Sequence, residues 1–284
     1  MNRVLLAGAT GHLGSFILTE LLSRGLQTRA IARNAQKLSE RSDSGRFEII
    51  QADVTDLPSL AQSCENIDTV ISTIGITRQK DGLTYMDVDY QANLNLLREA
   101  KLSGVKKFIY ISVFNGDRMR HLKICEAKER FVDVLKGSGL EYFIVRPTGY
   151  FSDMGEFYKM AAKGRVYLFG AGQHSMNPIH CADLAKVCVD AISSDAKEVP
   201  VGGPQVLTYN QIADLAFSVA GKKKKIIHIP NWLRKAILSL LRTFTSSKTY
   251  GPVEFLLTVL AIDLIAPAFG SRTLEEYFRS AGLS

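Results

Sequence analysis

The sequence predicts an α/β fold, a doubly wound parallel sheet followed by a smaller mixed α/β C-terminal lobe. Short apolar stretches alternate with helical patterns through the first half of the chain, as in parallel βαβ units. These apolar stretches are continuous, as expected of strands covered on both faces of a sheet. After Pro147 the alternation weakens, so we predict a sheet domain at residues 1–150 and a smaller lobe at residues 151–284.

The elements of the sheet domain follow from runs of apolar residues and from helical periodicity. Strands are predicted at residues 3–8, 27–33, 47–54, 68–73, 106–112 and 141–147. Helices are predicted at residues 12–24, 57–65, 84–103 and near 122–137. In the smaller lobe we predict extended pieces at RVYLFG and KIIHIP and helices near residues 181–194, 208–220 and 231–245.

Composition narrows the class of protein. The four cysteines are scattered without a C-x-x-C pair, which argues against a disulfide framework or a zinc site and fits a reducing, cytoplasmic location. The chain enters a strand directly after MNR, so we expect no signal peptide, and no uncharged stretch reaches the roughly 18–20 residues of a membrane span. The net charge of +7 makes anionic ligands plausible, but no nucleic-acid-binding motif is present.

The glycine-rich stretch GATGHLG, residues 8–14, lies between the first predicted strand and the first predicted helix. In this context Gly8 allows a sharp turn, Gly11 lets the backbone approach a pyrophosphate, and Gly14 lets helix and strand pack closely. The N–H groups and dipole at the helix start favour an anion. A tight turn without a ligand is the alternative. The candidate cofactor-binding residues of this loop are Gly8, Thr10, Gly11, His12, Leu13 and Gly14.

The second predicted strand indicates which dinucleotide is bound. NAD-binding proteins place an acidic residue about 20 residues past the glycine loop to bind the ribose 2′-hydroxyl. No Asp or Glu lies between Leu21 and Ser39, and Arg33 follows the strand where a guanidinium can bind a 2′-phosphate. We therefore predict NADP(H). Arg24 and Arg29 are interpreted as solvated surface residues.

Two further strand ends supply candidate cofactor contacts. Asp53 and Val54 follow the third strand, where they could contact the adenine, although Asp53 could equally be an N-cap or turn residue. Gly75 follows the fourth strand and permits close approach of the backbone to the cofactor riboses.

These motifs resemble those of the atypical short-chain dehydrogenase/reductases, especially the NmrA-like NAD(P)H-binding group. The resemblance rests on four stretches that span most of residues 3–151 in matching order: GATGHLG, AIARNAQK, VDYQANLNLLREAKLSGVKKFIYIS and AKERFVDVLKGSGLEYFIVRPTGYF. It implies a Rossmann-type fold and a nicotinamide cofactor. The tail APAFGSRTLEEYF is similar to the ends of bacterial and plastid NAD(P)-binding members, some of which are assembly factors.

The resemblance also implies a catalytic pair, Ser112 and Lys128, with Lys128 binding the nicotinamide ribose as well. The proton-transferring tyrosine of the family's Tyr-x-x-x-Lys motif is replaced by Ile124, and an aliphatic side chain cannot transfer a proton. Lys128 could also be an ordinary solvated lysine. Asn115 and His121 are polar candidates near this helix.

After the sixth strand, the resemblance places Pro147 and Thr148 at the nicotinamide amide. Tyr150 and Tyr158 could line a substrate site or pack between the lobes, and Asp183 is expected to cap a helix.

The segment GKKKKIIHIPNWLRKAILSLLRTF is strongly basic, and its helical part is amphipathic. Such a helix can lie on an anionic membrane, but more often it covers a pocket or core, and we favour the latter.

Two functional classes remain. The first is an NADPH-dependent reductase of a small apolar carbonyl, enone or quinone. The second is a non-catalytic NADP(H)-binding redox sensor or assembly factor with a protein partner. Ser112 and Lys128 favour the reductase, whereas Ile124 favours the binding protein.

Overall fold

The computed structural model of the chain describes residues 3–39, 47–77, 79 and 82–281. The strands are β1 (Arg3–Ala7), β2 (Gln27–Ala32), β3 (Phe47–Gln51), β4 (Thr69–Ser72), β5 (Lys107–Ile111), β6 (Glu141–Pro147), β7 (Val166–Phe169), β8 (Ser175–Met176), β9 (Glu198–Val201), β10 (Leu207–Thr208) and β11 (Ile226–Ile229). The helices are α1 (His12–Ser23), α2 (Gln36–Ser39), α3 (Asn93–Leu102), α4 (Lys123–Lys136), α5 (Phe151–Ala162), α6 (Cys181–Asp190), α7 (Tyr209–Ala220), α8 (Asn231–Phe244), α9 (Ser247–Val259) and α10 (Leu274–Ala281).

A seven-stranded sheet with the order β3-β2-β1-β4-β5-β6-β9 forms the centre of the fold. All five neighbouring pairs from β3 to β6 are parallel. The strand order reverses direction beside β1, so the loops after β1 and β4 meet at one edge of the sheet, where open α/β sheets bind ligands. The predicted Rossmann-type α/β fold is confirmed.

The continuous apolar strands are buried as the sequence indicates. Every residue of β5 is buried, and Leu5, Phe108 and Tyr110 are fully inaccessible. Helix residues such as Leu96 and Phe131 pack against the same core. Because both faces of the sheet are covered, the residues in the middle of these strands are mainly apolar and do not alternate with polar ones.

Two predicted helices are shorter or less regular than expected. The stretch 57–65 forms only a 3₁₀ turn at Leu57–Leu60. The stretch 84–103 begins as a π-helix at Met86–Ala92 and continues as α3. In addition, α2, α5, α9 and α10 lie where no helix was predicted. In α9, Pro252 lies inside the helix, and an internal proline is a signal that argues against a helix in a sequence.

The chain divides into two units that differ from the predicted split at residue 150. One unit contains the chain up to Arg146 and takes in Leu184–Val199. The other contains Pro147–Asp183 and the chain from Pro200. The second unit includes two small sheets, an antiparallel pair of β8 and β10 and a parallel pair of β7 and β11.

All four cysteines are buried and none forms a disulfide. Burial raises the pKa of Cys64, Cys125 and Cys181 to about 12, which disfavours reactive thiolates at neutral pH. No described helix is long and apolar enough to cross a membrane. Among the residues that the structure describes, no three His, Cys, Asp or Glu side chains lie close enough together to hold a metal ion.

Candidate cofactor site

The glycine loop after β1 has no room for side chains at two positions. Gly8 has φ +89°, and a Cβ there would lie 2.3 Å from Thr73 Oγ1. A Cβ on Gly14 would lie 2.0 Å from the carbonyl oxygen of Gly8. The first turn of α1 therefore packs directly on the loop backbone, as predicted for a dinucleotide-binding loop.

The N-terminus of α1 is suited to an anion. Gly11 is the N-cap residue and supplies no capping side chain, while its N–H donates to Gly8 O at 2.9 Å. Thr10, Gly11 and His12 are exposed. The backbone N–H groups of the first turn and the helix dipole thus face an accessible surface that a pyrophosphate can occupy. Leu13 is 7% exposed, so only its backbone could contact a phosphate.

Arg33 and Asp53 lie at the ends of the paired strands β2 and β3. Arg33 is exposed. Asp53 Oδ1 accepts hydrogen bonds from Thr55 N at 2.9 Å and from Thr55 Oγ1 at 2.7 Å. These bonds stabilise a turn, so Asp53 has the turn role that the sequence analysis gave as the alternative to an adenine contact. Partial burial raises the pKa of Asp53, but the Thr55 bonds and the Arg33 charge outweigh it and hold that pKa below its usual value. The contacts of Asp53 and Val54 with adenine remain predictions.

Arg24 and Arg29 were both predicted to be solvated surface residues. Arg24 fits this prediction, because its side chain is partly exposed and pairs with Glu20 and Asp190. For Arg29 the prediction is wrong. Arg29 is 8% exposed, and its Nη1 donates to the carbonyl oxygens of Ser63 and Glu65, both at 2.9 Å. A guanidinium buried in this way satisfies backbone acceptors of the turn before β4. Its role is structural.

A buried ion pair lies beside the loop after β4. Lys128 Nζ on α4 is 2.9 Å from Asp89 Oδ1, and the side chains are 13% and 0% exposed. A Cβ on Gly75 would lie 2.6 Å from Asp89 Oδ1 and 2.9 Å from Lys128 Nζ. The glycine therefore lets the loop backbone pass directly over the ion pair, and Lys128 is not the solvated lysine of the alternative interpretation.

Asp89 is held by its position in the π-helix Met86–Ala92 and by the loop itself. Ile76 N donates to Asp89 Oδ2 at 3.2 Å. Asn93 Nδ2 donates to the carbonyl oxygens of Ile74 and Asp89 at 3.2 and 3.0 Å. Burial raises the pKa of Asp89, and the ammonium of Lys128 acts in the opposite direction. The π-helical turn thus aims a carboxylate at Lys128, and such turns are frequent at functional sites.

Among the residues that the structure describes around Lys128, no accessible tyrosine replaces the one missing at Ile124. Ile124 itself is 6% exposed. The ring of Tyr110 lies 5.4 Å from Lys128 Nζ, but Tyr110 is fully buried in the sheet and burial raises its pKa. Its hydroxyl is therefore not accessible to a substrate.

Ser112 is committed to a second buried network. Ser112 Oγ donates to Glu129 Oε1 at 2.8 Å. Glu129 also receives Arg146 Nη1 at 2.5 Å and Nη2 at 2.8 Å, and Arg146 pairs in turn with Glu198. The single hydroxyl proton of Ser112 is thus used within the protein. Toward a ligand the oxygen can only accept, and the catalytic assignment of Ser112 stays a prediction.

The candidate residues of the second unit are largely structural. Thr148 is 5% exposed, and its Oγ1 donates to Asn177 O at 2.7 Å. Tyr150 is the N-cap residue of α5, and the Tyr158 ring packs on Phe278 with centroids 5.8 Å apart. Pro147 ends β6. The nicotinamide contacts of Pro147 and Thr148 remain predictions.

The expected cap at Asp183 is wrong in detail, because Asp183 lies inside α6 and forms an ion pair with Arg272. Of the polar candidates before α4, Asn115 adopts a left-handed conformation with φ +54° and His121 is exposed. Neither has a contact that assigns it to the site.

Sequence reasoning missed Asp89, Asn93, Glu129 and Arg146. For Asp89, Asn93 and Glu129 the available signal was a polar residue at a position that the helical pattern assigns to the buried side. For Arg146 it was a charged residue within an apolar strand, and all four are buried. A buried charge requires a partner, and that partner cannot be identified from one sequence.

Together, the glycine loop, the helix N-terminus and the switch in strand order define a Rossmann-type dinucleotide-binding protein. The chain belongs to the NAD(P)H-binding family, whose profile matches residues 8–195. The NAD(P)H-binding part of the predicted resemblance is thereby confirmed.

Named relatives include both enzymes and an assembly factor. The chain is 26% identical to the chloroplastic divinyl chlorophyllide a 8-vinyl-reductase of Arabidopsis thaliana, an alignment that covers 97% of this chain and 75% of that protein. It is also 26% identical to the photosystem II assembly factor Ycf39 of Synechocystis sp., covering 86% and 74%. The Escherichia coli NADPH-dependent quinone oxidoreductase complexed with NADPH shares the fold, with a TM-score of 0.73, 19% identity and coverage of 98% and 99%.

Proposed function

We propose that this protein is an NADP(H)-dependent reductase of a small apolar carbonyl, enone or quinone. The observation that carries the proposal is the buried Asp89–Lys128 pair directly beside the Gly75 loop. Burying two charges costs free energy that a solvated lysine would avoid, and buried charged groups of this kind concentrate at functional sites. Names among the relatives and structural neighbours, a vinyl reductase and a quinone oxidoreductase, agree with this class.

The residues fit a bound dinucleotide phosphate. Gly8 and Gly14 leave space only for backbone, and the exposed first turn of α1 offers N–H groups to the pyrophosphate. Arg33 is exposed at the end of β2, where it would bind the 2′-phosphate of NADP(H) bidentately. The Gly75 backbone would approach the riboses.

When bound, the nicotinamide would supply a hydride with its two electrons to an electrophilic carbon of the acceptor, and the oxyanion left on the acceptor would take its proton from solvent. The Lys128 ammonium would bind the ribose hydroxyls and stabilise the negative charge that develops on the acceptor oxygen, because an opposite charge in a water-poor site acts strongly. Asp89 keeps Lys128 in position. Ser112 would contribute only as a hydrogen-bond acceptor, because its hydroxyl proton is donated to Glu129. The four buried cysteines support a reducing, cytoplasmic location.

A non-catalytic NADP(H)-binding role is the second candidate. Ile124 stands where the family has its proton-transferring tyrosine, and no accessible phenol replaces it among the described groups around Lys128. One of the relatives is named as an assembly factor. NADPH oxidation measured against a panel of quinones, enones and aldehydes separates the two candidates. Tight cofactor binding without turnover on any acceptor would favour the second.

Replacing Lys128 with methionine should lower turnover by about 10²- to 10⁴-fold, the usual contribution of a group that handles charge or protons at the reacting centre. The loss should appear mainly in kcat, because Lys128 would act on charge that develops in the transition state. Steady-state NADPH oxidation provides the measurement. Lys123→Met is the matched control, since Lys123 lies on the same helix but is exposed and pairs with Glu126. If both variants kept parental kcat, the role assigned to Lys128 would be wrong.

The parental protein should bind NADPH at least about tenfold more tightly than NADH, which corresponds to about 1.4 kcal/mol. Arg33→Asp should remove that preference, because an acid would repel the 2′-phosphate. Titration of both cofactors by calorimetry gives the ratio. Arg98→Asp changes an exposed arginine on α3 by the same charge and should leave the ratio unchanged. Equal affinities for the two cofactors in the parent would exclude the NADP(H) assignment.

A further inference from the structure

Helix α8 is amphipathic, yet it buries none of its residues. Trp232 is 68% exposed, Leu240 58% and Phe244 78%. A surface helix normally turns its apolar face toward a core, because that burial is the main source of its stability. The apolar face is thus only partly covered, since Leu233, Ile237 and Leu241 are half-buried, and the expectation that α8 covers a pocket or core stays a prediction.

The exposed apolar face points away from the neighbouring helix. Helix α9 contacts α8 through Arg234, whose Nη1 donates to Leu257 O at 3.0 Å, and through the ion pair of Arg242 with Glu254. At about 100° per residue, Trp232 and Leu240 lie within about 80° of each other. Each is about 160° from the arginine two residues later, so packing against α9 leaves both uncovered.

Positive charge is concentrated around this face. Residues 221–260, the basic segment, contain eight of the 35 Lys and Arg residues of the chain but only Glu254 among its 28 acidic residues. The segment thus carries the entire formal net charge of +7. Lys222, Lys223 and Lys225 are exposed directly before β11.

We infer that α8 docks on an anionic lipid surface. Trp232, Leu240 and Phe244 would enter the boundary between headgroups and acyl chains, and the lysines of the basic segment would bind anionic headgroups. An exposed tryptophan and phenylalanine on a helix rich in cations match the chemistry of a membrane interface. A nucleic acid would match the charge but not an apolar face of three large side chains. At about 21 Å, α8 is suited to lie in the membrane plane. The inference does not rest on the proposed cofactor or activity.

The fluorescence of Trp232 tests this directly, because it is the only tryptophan of the chain. Titration with vesicles of phosphatidylcholine and phosphatidylglycerol should shift its emission to shorter wavelength. Vesicles of phosphatidylcholine alone should give at most a weak shift, and added salt should reverse the anionic binding. Brominated lipids should quench the emission if the ring enters the bilayer.

Two sets of variants separate the apolar and the charged contributions while Trp232 is kept as the reporter. The double variant Leu240→Ser and Phe244→Ser should weaken vesicle binding at least about tenfold. The triple variant Lys222→Gln, Lys223→Gln and Lys225→Gln should weaken it about a hundredfold. The matched control for the apolar double variant is Leu102→Ser, at a residue on α3 that is 85% exposed. The control for the lysine variant is the triple change Lys101→Gln, Lys163→Gln and Lys186→Gln, at three exposed lysines. These controls should bind as the parent does, and melting curves establish that all variants fold.

Three results would overturn the inference. The first is an unchanged Trp232 emission with every vesicle. The second is an equal shift with neutral and anionic vesicles. The third is a shift produced by duplex DNA or by polyglutamate but by no vesicle, which would point instead to a nucleic acid or to an acidic protein.

Discussion

Replacing Gly14 with alanine is expected to weaken binding of the nicotinamide cofactor about a hundredfold and to destabilise the fold by about 1–3 kcal/mol. The added Cβ would lie 2.0 Å from Gly8 O, 2.7 Å from Gly8 C and 3.1 Å from Ala9 Cα. All three atoms belong to the backbone, so no side chain can rotate away. The loop must move, and the N–H groups at the start of α1 then lose their alignment with the pyrophosphate. A hundredfold corresponds to about 2.7 kcal/mol, the worth of one or two hydrogen bonds to a charged group.

Gly155 provides the matched control, because it is also a glycine inside a helix. A Cβ there would meet only Tyr277 Oη, at 3.9 Å. Gly155→Ala should therefore keep parental cofactor affinity and gain up to about 1 kcal/mol from helix propensity. Calorimetric titration and thermal unfolding measure both effects. Parental affinity in Gly14→Ala would show that the loop does not hold the phosphates.

The sheet and the glycine loop could be predicted because their signals are local. Continuous apolar runs indicate strands that are buried on both faces of a sheet, and the glycines indicate positions where the backbone has no room for a Cβ. The bounds of β6 agree with the prediction to the residue. The first turn of residues 84–103 was predicted as ordinary helix, because nothing in local periodicity distinguishes a π-helical turn from an α-helical one.

The chemistry of the candidate site was less predictable because it depends on contacts between distant residues. Asp89 and Lys128 lie on different elements, and an isolated sequence does not show which of its acids will meet which lysine. Arg29 shows the same limit from the structural side: besides Glu48 on β3, its acceptors are the backbone carbonyls of Ser63 and Glu65, and every residue possesses such a carbonyl. A strand residue that bonds to such acceptors has no sequence signature.

Helix α8 shows a third kind of limit. The amphipathic pattern of a helix is the same whether its apolar face covers a core or faces a membrane. Only the exposed fractions of Trp232, Leu240 and Phe244 separate the two cases. Periodicity therefore predicts that an apolar face exists. Whether that face is covered by other parts of the protein depends on how the rest of the chain packs.

Replacing Arg146 with alanine is expected to destabilise the protein by about 3–5 kcal/mol. Arg146 holds Glu129 through two hydrogen bonds, and their side chains are 6% and 1% exposed. The substitution leaves a carboxylate buried without its cation, and the carbonyl of Val113 loses the Arg146 Nη1 donor at 3.1 Å. Urea unfolding followed by circular dichroism gives the change in midpoint and slope.

Arg120 is the control for this prediction, since it forms the same two-bond geometry with Asp133 at 2.7 Å for both bonds. The Arg120 and Asp133 side chains are 45% and 55% exposed, so solvent screens the pair and Arg120→Ala should cost less than about 1 kcal/mol. Adding Glu129→Gln to Arg146→Ala should recover part of the loss, because the amide removes the buried charge at nearly constant volume. A similar cost for Arg146→Ala and Arg120→Ala, with no recovery in the double variant, would mean that burial of Glu129 does not set the energetics of this network.

The cofactor affinity of the double variant tests a separate point. If Glu129 acts only on stability, the refolded variant should bind the nicotinamide cofactor as the parent does. A persistent loss of affinity would indicate that Glu129 also positions Ser112 at the site.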